Sequence, residues 1–220
     1  MHKVPGQLLL FATIAATITA GGCQSVYYNT MEKFGYQKRE ILVDRVKEAR
    51  DENQKTAEQF NSALAQFSQV VNFDGGNLEE KYEQLSSEYE RCESSAAAVR
   101  KRINAVEGVG AALFDEWEAE LKQYTNANLR NASQQKLVQT RRQYDRLIRS
   151  MHRAESKIDP VLSAFRDQVL YLKHNLNARA IASLQTELVS IENNVASLVR
   201  EMQTAISEAD GFIKTMGKTT

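Results

Sequence analysis

The side chains able to do chemistry are few and widely spaced. Of two cysteines, Cys23 stands directly behind a run of small residues, Thr19-Ala20-Gly21-Gly22, and Cys92 lies deep in the chain among helix formers. A thiol in the first setting can be modified and the chain cut beside it. Of three histidines only His152 and His174 fall outside the N-terminal region, and neither has a second His or Cys at metal-ligand spacing. Phosphate-binding glycine loops, nucleophile motifs and paired acid/base groups do not occur, so no metal, cofactor or enzymatic activity is expected. His174 instead suits a helix C-terminus, where a cation favours the dipole. Arg142, Arg146, Arg149 and Arg153 recur at steps of four, three and four, which makes one basic stripe along a helix. A phosphate-rich partner could use it, but salt bridges to Glu107, Asp115 and Glu118 of the preceding helix are the preferred explanation.

The setting of Cys23 is more informative. His2 and Lys3 precede an apolar stretch over residues 8–18 that is too short to cross a bilayer, which indicates a secretory signal peptide over residues 1–22. Ile18-Thr19-Ala20-Gly21-Gly22-Cys23 resembles a lipobox, in which lipid joins the cysteine thiol and cleavage falls just before it; Ala20 stands where that pattern favours Leu. Residues 23–30 then form the lipidated N-terminus and a short linker. Tyr27 and Tyr28 either rest at the membrane interface or belong to an ordinary linker. Gln24, where Asp commonly marks inner-membrane retention, resembles the outer-membrane sort, so a cell-envelope protein facing the periplasm is expected. With Cys23 acylated, Cys92 has no intramolecular partner. Its place on an apolar seam makes it a small core group, with an intermolecular disulfide as the alternative.

Composition narrows the class. The chain has 42% hydrophobic and 25% charged residues and two prolines, a helix-rich balance. Its 28 Lys and Arg match its 28 Asp and Glu, so no bulk attraction to nucleic acid or anionic lipid is expected.

The elements that must carry these residues are legible as heptad seams. Leu42, Val46, Ala49, Asn53, Thr56, Phe60, Ala63, Phe67 and Val70 alternate in steps of four and three, and the seam stops at Asp74-Gly75-Gly76-Asn77, a turn with a capping Asn. A second seam runs from Leu78 through Cys92, Gly110 and Trp117 to Tyr124, with Gly108 and Gly110 as close-packing or bending points. Residues 126–133, rich in Asn, suit a second reversal. A third seam takes Leu137, Tyr144, Ile148, Met151, Ile158, Leu162, Phe165, Val169 and Leu172, with Arg141 and Glu155 as charged exceptions and a kink at Pro160. After His174-Asn175-Leu176-Asn177 a fourth seam runs from Ile181 to Met216.

Short breaks force antiparallel neighbours, so the expected fold is all-α. It is an elongated, up-down-up-down, coiled-coil-like four-helix bundle over residues 31–216, with helices at about 31–72, 78–129, 133–174 and 178–216 and a tail at 217–220. This register places Phe60 near Cys92, Tyr144 near Trp117, Met151 near Gly110 and Phe165 near Leu188.

Several blocks carry a family likeness, notably Lys38-Arg39-Glu40-Ile41-Leu42-Val43-Asp44-Arg45-Val46, Val70-Val71-Asn72-Phe73-Asp74-Gly75-Gly76, Ala112-Leu113-Phe114-Asp115-Glu116-Trp117-Glu118 and Phe165-Arg166-Asp167-Gln168-Val169-Leu170-Tyr171-Leu172-Lys173-His174-Asn175-Leu176-Asn177. Nearly the whole mature chain resembles the bacterial envelope family called domain of unknown function 2959. The resemblance implies a family but no activity.

Chain direction implies that the two loops Asp74-Gly75-Gly76-Asn77 and His174-Asn175-Leu176-Asn177 share the tip farthest from the anchor. The expected role is a noncatalytic, membrane-anchored adaptor that offers Asp74, Gly75, Gly76, Asn77, His174, Asn175 and Asn177 to an envelope protein or cell-wall partner. The alternative is a homo-oligomeric coiled-coil scaffold; an enzyme is the remaining class.

Overall fold

The computed structural model describes residues 37–217, apart from Asp74 and Gly76. The predicted signal peptide, Cys23, the linker and residues 31–36 of the first expected helix therefore lie outside the described residues, as do residues 218–220 of the tail. The elements in chain order are α1 (Lys38–Val71), α2 (Leu78–Leu121), α3 (Ala127–Ser156), α4 (Ile158–His174) and α5 (Ala178–Gly217). They make four antiparallel arms, because α3 and α4 are one arm interrupted only at Lys157. The fold is an all-α four-arm bundle.

Packing follows the seams. Every residue assigned to the first seam is buried, from Leu42, Val46 and Ala49 at 0% exposure to Val70 at 1%. α1 lies against α2 and α5, while α3 and α4 close the other side of the same two helices. Phe67 and Phe165 meet edge-on across the diagonal, with ring centroids 6.2 Å apart. Asn53 and Thr56, also fully buried, leave Asn53 Oδ1 and Thr56 Oγ1 without a partner, although Asn53 Nδ2 donates to Ala49 O at 2.9 Å. An unsatisfied polar atom in a core is destabilising, so this polar layer lowers the stability of the apolar seam around it.

Three asparagines start three helices in the same way. The Oδ1 atoms of Asn77, Asn126 and Asn177 each accept from the N–H groups two and three residues on, at 2.9 to 3.4 Å. The second of these corrects the expected reversal at 126–133. α2 ends at Leu121 rather than about 129, Asn126 is already the cap, and 127–133 is helix. The run of Asn and Ser reads as a turn, but only its first Asn competes with the helix.

Moving the turn upstream shifts the register of α3. Gly110, expected beside Met151, lies against the Tyr144 ring, and Tyr144, expected beside Trp117, packs on Phe114 at 5.1 Å. Trp117 Nε1 instead donates to Ser133 Oγ at 2.8 Å. In α3 and α4 the expected seam residues Leu137, Met151, Ile158, Phe165, Val169 and Leu172 are buried while Tyr144, Ile148 and Leu162 are only partly so, and the buried face is wider than expected, taking in Thr140, Leu147, Ser150, Ala154 and Val161.

The kink expected at Pro160 takes the form of a one-residue break at Lys157. Pro160, in the first turn of α4, has no N–H for Ser156 O and its ring crowds that carbonyl. Lys157 stays in the right-handed helical region (φ −87°, ψ −12°), so the arm continues rather than turns back.

At the end opposite the tip the arms stop at different levels. Lys38, the first residue of α1, pairs with Glu116 at 2.9 Å, and Arg39 donates to Met216 O near the end of α5. Past that level the described structure is only the α2–α3 hairpin, where Tyr124 is 39% and Leu129 58% exposed.

Candidate functional site

The tip is built from two turns. Asn72 ends α1, its N–H and Nδ2 both donating to Ser68 O at 3.0 and 2.9 Å, and Phe73 folds back so that its side chain packs against the core. Gly75 has φ of 142°, a left-handed conformation that side chains rarely adopt. Asn77 then caps α2. In the second turn, Asn175 Nδ2 donates to Tyr171 O at 2.9 Å, and Asn177 caps α5. Gln185 Nε2 donates to Val71 O at 3.4 Å, which ties the start of α5 to the end of α1 and brings the turns to one end, as expected.

The predicted contact residues prove unequal. Asp74 and Gly76 lie outside the described residues. The side chains of Asn77, Asn175 and Asn177 bind backbone within their own turns, so they shape the tip. His174 is exposed at the C-terminus of α4, beside Lys173, where a cation is favoured. The more adhesive side chains are ones the sequence reading passed over: Leu170, Tyr171 and Leu176 are 52%, 39% and 40% exposed. The available signal was position, since Leu170 and Tyr171 flank the seam residues Val169 and Leu172 and cannot share their face.

The other chemistry-bearing residues resolve separately. Cys92 is fully buried, its sulfur 3.9 Å from Gln59 Nε2, one residue from the predicted neighbour Phe60; burial pushes its thiol up to about 12. His152 is held between Glu107 and Glu155, both at 2.9 Å, and these two carboxylates raise its pKa. Among the described residues no three His, Cys, Asp or Glu side chains gather as a metal site, and no helix is long and apolar enough to cross a membrane.

The arginine stripe departs from expectation. Arg153 pairs with Glu201 of α5 at 3.5 Å rather than with α2, and Glu118 pairs with Arg141, outside the stripe, at 3.0 Å. Glu107 is taken by His152. Arg142, Arg146 and Arg149 are exposed and enter no ion pair among the described residues. Glu107 and Glu118 lie beside the stripe but are engaged by His152 and Arg141, the sequence neighbours of Arg153 and Arg142.

A family model described as protein of unknown function (DUF2959) matches residues 27–216. The chain belongs to this family. The match covers every described residue up to Met216, so the bundle and both tip turns lie within the family's extent. No curated protein and no solved structure matches the chain.

Proposed function

We propose that this member of the family is a noncatalytic adaptor lipoprotein, anchored through Cys23 in the cell envelope and offering its tip to a protein or cell-wall partner. The observation that carries the reading is the exposure of Leu170, Tyr171 and Leu176 at the end where both turns meet. Apolar groups grouped at the end of a stiff bundle are available to a partner and cost water contact when alone. The 34 residues of α1 would hold that tip about 50 Å beyond the start of the helix. The lipobox-like segment and Gln24 support an outer-membrane anchor with the bundle facing the periplasm. Such a role requires no metal or cofactor.

The test is photocrosslinking in cells from position 176, in the otherwise native chain and in one carrying Leu170→Ser and Tyr171→Ser. The native chain should capture a defined partner and the variant should lose it while remaining folded. Equal capture by both would remove the tip as the contact.

Self-assembly into an envelope scaffold is a second reading, supported by the exposure of Tyr124 and Leu129 on the α2–α3 hairpin, where a second hairpin would complete a four-helix section. Sedimentation over a range of concentrations separates the two, since a strictly monomeric chain removes the scaffold.

A further inference from the structure

One outer face of α3 carries positive charge that the chain does not answer. α3 has seven Lys and Arg against two acidic residues, in a chain whose 28 basic and 28 acidic residues cancel as a whole. Its flanks are neutralised by the Arg141–Glu118 and Arg153–Glu201 pairs. Between those flanks Arg142, Arg146 and Arg149 stay exposed and enter no ion pair among the described residues; Glu107 and Glu118 are engaged by His152 and Arg141, and Asp145 is the one carboxylate of α3 within a turn of all three. Like charges one helical turn apart repel, and the single carboxylate of Asp145 leaves the row of three arginines with a net positive charge that a partner outside the chain can neutralise.

Geometry narrows the choice of partner. Val138, Arg142, Arg146 and Arg149 fall within about 80° of the helix circumference, and the three arginines span about 10 Å of its axis. Val138, 43% exposed, puts an apolar side chain in the same row. Guanidinium groups take phosphate oxygens in pairs. A straight row of cations with an apolar residue at its end matches a flat sheet of phosphate headgroups. Nucleic acid fits less well, because the row holds no aromatic ring on which a base could stack. We infer that the Arg142, Arg146 and Arg149 face of α3 binds an anionic, phosphate-bearing lipid surface. This contact lies on the side of the bundle and is independent of the tip.

The test is flotation of the full chain with vesicles of phosphatidylcholine alone and of phosphatidylcholine with phosphatidylglycerol, reading the ratio of the two partition coefficients. Any lipid anchor or leader contributes to both vesicle types, so the ratio isolates the charge-dependent part. At low salt the ratio should be large and should fall toward one at high salt. Arg142→Gln, Arg146→Gln and Arg149→Gln together should lower it roughly a hundredfold, since each arginine near an anionic surface contributes about a fivefold gain. The corresponding triple Arg→Lys chain should keep most of it. A native ratio near one overturns the inference, as does a folded triple-Gln chain with the native ratio or a triple-Lys chain that loses it. Duplex DNA bound more tightly than the anionic vesicles through the same three arginines would also overturn it, and would make the face a nucleic-acid surface.

Discussion

Between Lys38 and the tip, where four arms run side by side, the seam of α2 vanishes into the core. Cys92, Ala96, Val99 and Val106 are all 0% exposed. Beyond Lys38 the seam has one further helical member, Trp117, which is only partly buried; α2 ends at Leu121, and Tyr124, in the turn that follows, is 39% exposed. The heptad is unchanged, and what differs is the number of described neighbours. Periodicity reports which face of a helix is apolar; whether that face is buried depends on how many partners reach that level. The α2–α3 hairpin is thus a helical pair with half a core, and the section beside it has a whole one.

The largest expected contrast is between Phe67 and Leu129. Phe67 is fully buried against Phe165, so Phe67→Ala should cost about 3–5 kcal/mol, through lost burial and the cavity left behind. Leu129→Ala, at a side chain 58% exposed, should change stability by less than about 0.5 kcal/mol. Urea unfolding of both variants measures the contrast. Comparable losses would mean that the hairpin is covered and the two regions are alike.

Gly110 marks the border between the regions and gives the next largest effect. A Cβ there would sit 2.4 Å from Tyr144 ring atoms, in a layer that Phe114 and Phe212 also hold. An ordinary Gly→Ala change inside a helix gains up to about 1 kcal/mol. Here the crowding should reverse the sign and give a loss of about 1–3 kcal/mol. Thermal unfolding reads the sign directly, and a gain would show that Tyr144 can step aside, leaving this border loosely packed.

Legibility in the sequence followed the same division. The first seam was readable throughout because both of its polar members, Asn53 and Thr56, keep the phase. The third was readable through Leu137, Met151, Ile158, Phe165, Val169 and Leu172 but incomplete, because Thr140, Ser150 and Ala154 are too small or polar to mark a seam and the larger Ile148 and Leu162 sit at its edge. The Asn-rich stretch after Leu121 hid a helix start, and the five or so residues thereby misplaced moved the α2–α3 register. The expectation that the arginine stripe would find its acids on α2 failed by one residue, since Glu107 and Glu118 engage His152 and Arg141 instead. At the tip, the turns were visible from Gly75 and Asn77; the exposure of Leu170 and Tyr171 was legible only from their position beside the seam residues Val169 and Leu172, and Leu176 lies in the turn after α4, where seam periodicity says nothing.

The caps compare the two regions through equivalent chemistry. Asn77→Ala removes acceptors for Glu79 and Glu80 N–H at the start of a helix that spans the whole core, and should cost about 1 kcal/mol of global stability. Asn126→Ala removes the same pair of bonds from Asn128 and Leu129 N–H, but in the hairpin. Its effect should appear as faster amide exchange in the first turn of α3, with little change in global unfolding. Equal global losses would mean that the hairpin unfolds with the core as a single unit.

The smallest expected effect is electrostatic and lies where α2 and α3 are still inside the four-arm section. Glu107 and Glu155 raise the pKa of His152 above its unfolded value, so the imidazolium contributes stability that is fully present below the unfolded pKa. That contribution is lost as pH rises through the higher folded pKa. The side chain is 46% exposed, so solvent screening keeps the effect below about 1 kcal/mol. His152→Gln should therefore flatten the decline in stability across the histidine range without changing stability on its alkaline side. A native decline that survives the substitution would assign it to another group. Salt supplies a further check, since screening of an exposed pair should shrink the native decline while leaving the Phe67 and Leu129 contrast, which is apolar, in place.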